Sequence, residues 1–238
     1  MIRFFAIISA CFASTADAAC RQALALGLDV SGSVDATEYR LQLDGLATAL
    51  ESEAVQQVLF AQSAAPVDIA VYEWSGPTYQ RLVLDWQTLL TPDDLAAATT
   101  VLRSTNRVTA DLTTAIGSAM IFGFDLLDQR QNCWKRTLDI SGDGEANTGP
   151  RPQDIPDSRT PAGVVVNGLV IATSAGSHDR RQAEIKELSS YFAARVIRGP
   201  DAFVEAALGF TDYAAAMERK LLRELTSLAL SDATPPDQ

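Results

Sequence analysis

Apolar residues along this chain fall into two kinds of pattern. Short, nearly continuous runs cover Ala23–Val30, Val67–Gly76, Gln80–Trp86, Lys135–Gly142, Gly163–Ile171 and Ala193–Ile197. Continuity rather than strict alternation predicts strands covered on both faces. Between these runs, apolar positions recur at three- and four-residue steps. In Asp35–Ser52 such steps bring Tyr39, Leu43, Leu46 and Leu50 onto one helical stripe. A helix from Thr91 has that residue as N-cap, Pro92 at its first position and acids in its first turn. Further helices are predicted over Thr113–Gln129, His178–Phe192 and Thr211–Leu230, and "IRGPDAFVEA" (Ile197–Ala206) reads as a Gly-Pro turn into a short one. Strands alternating with helices imply an α/β fold: a doubly wound, mainly parallel six-stranded sheet with helices on both faces. Gln80–Trp86, a tight connection away across Gly76-Pro77, is expected as the one antiparallel edge strand.

The ends modify this picture. Residues 1–18 carry one basic residue, Arg3, then an apolar stretch, and close on Ala16-Asp17-Ala18, the pattern of a cleaved signal peptide. Lipidation at Cys11 or Cys20 fits less well, because the apolar region ahead of Cys11 is too short and Asp17 lies three residues before Cys20. The expectation is an exported chain, periplasmic or secreted, with one domain over 19–230, a frayed tail over 231–238 and no integral membrane span. A net charge of −11 argues against nucleic-acid and anionic-lipid partners, while suiting cations. A monomer is expected. Cleavage leaves two cysteines, Cys20 and Cys133, which an oxidising compartment favours as a disulfide.

The candidate chemistry sits at the carboxyl ends of predicted strands, where open parallel sheets place their sites. Asp29, Ser31 and Ser33 follow the first strand, and Asp143 follows the fourth in "DISGDGEANTG". The loop "RVTADLTTAIG" offers Thr109, Thr113 and Thr114. Converged, these are oxygen donors without thiolate or imidazole, a set that suits a hard divalent cation: Mg²⁺ first, Mn²⁺ or Ca²⁺ as alternatives.

Asp29-Val30-Ser31-Gly32-Ser33 resembles the Asp-x-Ser-x-Ser signature of von Willebrand factor type A (vWA) domains, whose metal-ion-dependent adhesion site (MIDAS) is made of such residues. "TTAIGSAM" is similar to the second loop of that site, with Thr114 the better match and Thr113 the poorer. "SGDG" is similar to the third loop, with Asp143 in the aspartate position; the extra Gly142 departs from the usual pattern and leaves Asp139 as a competitor. More narrowly, the chain resembles an uncharacterised exported bacterial branch, a domain of unknown function. The resemblance implies direct coordination by Ser31 and Ser33, with Asp29 and Asp143 reaching the ion through water and Thr114 joining as ligand binds. It also implies a noncatalytic role, in which the metal docks an Asp or Glu carboxylate of a protein partner. In such a fold the first and fourth strands are parallel neighbours, which places Cys20 and Cys133 level for a bridge.

Two other functions compete. In a haloacid dehalogenase-like phosphatase Asp29 would be the nucleophile, but Ser31 stands where that family's general acid belongs, and Asn147 and Thr148 lie where a further carboxylate is expected. A structural envelope protein would use the metal only to brace three loops. The single histidine, His178, lies at a predicted helix entrance, which argues against a Ser-His-Asp triad or a histidine-rich zinc site. Tyr72 and Trp74 are candidates for the rim of the site or for core packing.

Overall fold

The computed structural model describes residues 20–173 and 177–226. The expected signal peptide over 1–18 and the tail over 231–238 lie outside them. The strands are β1 (Gln22–Asp29), β2 (Val67–Trp74), β3 (Gln80–Leu89), β4 (Lys135–Gly142), β5 (Val164–Ile171) and β6 (Val204–Ala207). The helices are α1 (Ala36–Leu50), α2 (Glu53–Leu59), α3 (Pro92–Ser104), α4 (Ile116–Asp128), α5 (His178–Arg195) and α6 (Tyr213–Thr226). The strands form one sheet in the order β3-β2-β1-β4-β5-β6, and only β3 runs antiparallel.

Every residue of β1, β2 and β5 is buried, as their continuous apolar runs require of central strands. Side chains alternate between two cores. On one face Leu24, Leu26, Leu28, Ile69 and Val71 pack with α1, α3 and α6; on the other Ala23, Ala25, Tyr72, Trp74, Leu138 and Ile140 pack with α4 and α5. Tyr72 and Trp74 are therefore core residues, both wholly buried, and the Tyr72 hydroxyl donates to the Ala119 carbonyl. Local signals set the helix starts. Asp35 caps α1 in a reciprocal box with Glu38, and Thr91 caps α3 in another with Asp94, with Pro92 leading the helix.

The sixth strand is not where the sequence pattern puts it. Ala193–Arg195 continue α5, because Phe192 and Val196, four residues apart, both turn into the core. The edge strand is instead Val204–Ala207, which starts within the stretch that reads as a turn into a helix and ends one residue past it. Gly199 and Asp201 there take positive φ, 91° and 58°, which turns the chain back alongside β5.

Cys20 and Cys133 form a disulfide that closes a loop with a sequence separation of 113. It lies just before β1 and β4, which pair in parallel from Gln22↔Lys135 to Leu28↔Ser141.

Candidate functional site

Doubling back from α1 to β2 on one side and from β4 to β5 on the other reverses the winding about β1 and β4. Such a reversal leaves a crevice at the strands' carboxyl ends. Asp29 is the last residue of β1, and Asp143 directly follows β4. Between Asp29 and α1 the chain makes a tight turn in which Ser31 N donates to Asp29 Oδ1 at 2.8 Å and Val34 N to the Ser31 carbonyl at 3.1 Å. Gln42 from α1 donates to the Asp29 carbonyl at 2.9 Å and fixes the strand end from below. The turn thus presents both serine hydroxyls to one point. Ser31 Oγ lies 3.3 Å from Ser33 Oγ, and Ser33 Oγ donates to Asp143 Oδ1 at 2.7 Å.

Thr114 arrives from a third direction. Gly32 N donates to the Leu112 carbonyl at 3.1 Å, and Ala115 N to the Ser75 carbonyl at 2.7 Å. A reciprocal pair then ties Thr114 to the third loop: Thr114 N donates to Asn147 Oδ1 at 2.9 Å, and Asn147 N to the Thr114 carbonyl at 3.0 Å. A glycine allows this approach. A Cβ on Gly117, in the first turn of α4, would stand 2.0 Å from the Pro150 carbonyl oxygen, so only glycine lets α4 sit this close to the Asp143 loop.

The structure therefore brings together loops bearing Asp29, Ser31, Ser33, Thr114 and Asp143. Asp139 is elsewhere: it is buried within β4, with Lys220 Nζ 2.5 Å from its Oδ1. Thr113 faces away into a turn of its own, donating from N and Oγ1 to Asp111 Oδ1. Asn147, Gln42 and Ser75 hold the site and carry no motif; the one hint in the sequence is that Asn147 follows Asp143 in a loop of turn-forming residues.

Four of the five side chains are nearly closed to solvent, with Asp29 at 1 %, Ser31 at 1 %, Thr114 at 7 % and Asp143 at 8 % exposure; Ser33 is exposed. Asp29 Oδ2 and Asp143 Oδ2 are buried and accept no hydrogen bond. A buried carboxylate oxygen without a donor is expensive unless a cation meets it. The electrostatics agree. Burial, and then the charge of Asp143, pushes the Asp29 carboxyl up to about 8; Asp143 is raised too, chiefly by burial. Two carboxylates that resist ionising side by side, flanked by hydroxyls, fit a hard divalent ion. Cys20, Asp68 and Cys133 also lie close together, but the sulfurs are bonded to each other. Asp68 meets Arg130 at 3.2 Å and Thr88 Oγ1 at 2.7 Å, so that group offers a metal no thiolate.

The fold is that of a vWA-like α/β domain. The chain belongs to the family described as "Protein of unknown function (DUF1194)", whose model matches residues 19–229. No curated protein matches its sequence. Among solved structures it is similar to proximal thread matrix protein 1 from the mussel byssus, at 13 % identity and a TM-score of 0.59 over 90 % of this chain and 49 % of that one. It is also similar to the von Willebrand factor type A protein from Catenulispora acidiphila, at 13 % identity and TM-score 0.55 over 88 % and 43 % of the two chains. The PilB minor pilin from Streptococcus sanguinis matches at 12 % identity and TM-score 0.57, over 91 % and 64 %. The chain thus spans about half the length of the first of these structures. A further structure of the mussel protein is described as having a zinc occupied MIDAS motif.

Proposed function

We propose that this protein is an exported, noncatalytic adhesion module that binds one divalent cation, Mg²⁺ foremost, and uses it to dock a carboxylate of a protein partner. One observation carries the reading: two buried carboxylate oxygens, Asp29 Oδ2 and Asp143 Oδ2, lack donors beside the paired hydroxyls of Ser31 and Ser33. Asp29, Ser31, Ser33, Asp143 and Thr114 would hold the ion. The ion supplies an electrophilic position that a partner's Asp or Glu can occupy. The chain's own contribution is to fix the serine hydroxyls by the turn after β1 and to latch Thr114 to the Asp143 loop through Asn147. The zinc-occupied motif of the mussel protein supports a metal here, and the similarity to a minor pilin supports an extracytoplasmic adhesive setting.

Calorimetric titration of Mg²⁺ and Mn²⁺ into chelator-treated residues 19–238 tests this directly. Saturable binding near one ion per chain is expected, abolished in Asp29→Ala and weakened in Thr114→Ala. Wild-type affinity retained by Asp29→Ala would refute the site.

A further inference from the structure

The surface around the proposed ion says what kind of partner it takes. Leu112 is 78 % exposed, and it stands on the rim of the site. It is held there by fixed backbone. Its carbonyl accepts from Gly32 N, inside the Asp-x-Ser-x-Ser turn, and a Cβ on Gly32 would lie 3.0 Å from that same oxygen. The preceding Asp111 caps the turn by accepting from Thr113 N at 2.9 Å, and its side chain packs against Gly76. Leu112 is thus presented on an ordered turn between two of the site's three loops. Val108, four residues earlier in the same segment, is 46 % exposed.

Charge supplies the second constraint. A dication held by Asp29 and Asp143 leaves those three groups neutral in sum. The field at the mouth is then set by what surrounds them. Asp35 is exposed at the N-cap of α1, and Glu38 acts electrostatically on Asp143, as does Glu184. Asp111 and Glu145 are exposed on the second and third loops. Of the cations on this side, Arg81 is paired with Glu73 and Arg40 with Asp44, while Arg107 lies over the Tyr39 ring and Arg180 and Arg181 share α5 with Glu184, fewer than the acids. A lone carboxylate approaching this mouth meets a rim of its own sign, an effect that salt screens over roughly 8 Å.

Building on the metal-site reading, we infer that the docking face selects a basic protein segment: one carboxylate for the ion, an apolar side chain beside it for Leu112 and Val108, and flanking lysines or arginines for the acidic rim. The basic residues raise the encounter rate and set specificity, and the apolar contact slows release.

Fluorescence anisotropy with three end-capped synthetic peptides in millimolar Mg²⁺ tests this. The first has a central Asp-Leu flanked by lysines, the second the same centre flanked by glutamates, and the third the lysine flanks with Asn replacing Asp. The lysine-flanked Asp peptide should bind at least about tenfold tighter than either of the others, and lose affinity as salt rises. Leu112→Ser should weaken it by about tenfold. Glu145→Lys should weaken it too, and Mg²⁺ binding by calorimetry should be unchanged in Leu112→Ser. Equal affinity for lysine and glutamate flanks, indifference to Leu112→Ser, or no peptide binding by the Mg²⁺-loaded protein would each overturn the proposal. Absent Mg²⁺ binding in the wild type is a separate result: it removes the metal site on which the proposal stands.

Discussion

Lys220 has no exposed surface, yet it carries a charge. Its ammonium lies 2.5 Å from Asp139 Oδ1 and 2.6 Å from Glu224 Oε1, and Asn167 Nδ2 donates to the same glutamate oxygen at 2.6 Å. Lys135 joins them from the start of β4, its Nζ donating to the Glu224 carbonyl at 3.0 Å, so two acids and two lysines share the cluster. Burial first, and then Glu224, pushes the Asp139 carboxyl up to about 7 against the pull of Lys220. A carboxyl raised above its unfolded value near 3.9 keeps its proton in the folded chain after the unfolded chain has released it. Stability from this group is therefore present at low pH and lost as pH rises from about 4 through about 7. Denaturant unfolding at pH 5 and pH 8 should show the loss, and Asp139→Asn should reduce it, the remainder coming from Asp29 and Asp143, which are raised in the same direction. Lys220→Met removes the cation seated between Asp139 and Glu224. It should cost about 3–5 kcal/mol at pH 8, and less at pH 5 where Asp139 is protonated.

At the scale of elements, the site depends on how closely α4 approaches the Asp143 loop. Gly117→Ala forces a methyl group into the Pro150 carbonyl. It should destabilise the fold by about 1–3 kcal/mol and weaken Mg²⁺ binding, because the Thr114–Asn147 latch lies on the same contact. Differential scanning calorimetry and titration of one sample read both effects. The strand-helix alternation, the antiparallel β3 and the cap at Thr91 were legible because each rests on local spacing or a local hydrogen bond. The turn Asp29–Ser33 was legible for the same reason. The boundary between α5 and β6 was not, since Ala193–Ile197 fits either period and only the burial of Phe192 and Val196 decides it. Asn147 and Gln42 were hidden because amides take these roles only once distant loops meet, and Ser75 because it acts through its backbone carbonyl, which no side chain marks. The α2 segment is short and has two buried residues, Val55 and Leu59, too few to mark a face.

For the whole molecule, the disulfide joins the starts of the two central strands across a separation of 113. Its loss should lower stability by up to about 4–5 kcal/mol in the chain-entropy model. Thermal unfolding with and without reductant checks this, and Cys20→Ser/Cys133→Ser should reproduce the reduced protein. Mg²⁺ should still bind the folded fraction, because the site lies at the other end of β1 and β4.

That placement has a mechanical meaning. β1 and β4 are bonded covalently at their starts, and the proposed ion would join Asp29 to Asp143 at their far ends. With an ion in place, the two strands, the sulfur bridge and the cation form a closed frame. A pull transmitted through a docked partner then cannot peel β1 from β4 as a zipper opens from one end. It must shear the full register from Gln22↔Lys135 to Leu28↔Ser141 at once. The domain should therefore hold its shape under tension until the partner's own bond to the metal gives way, so that a tether fails by letting go rather than by unfolding.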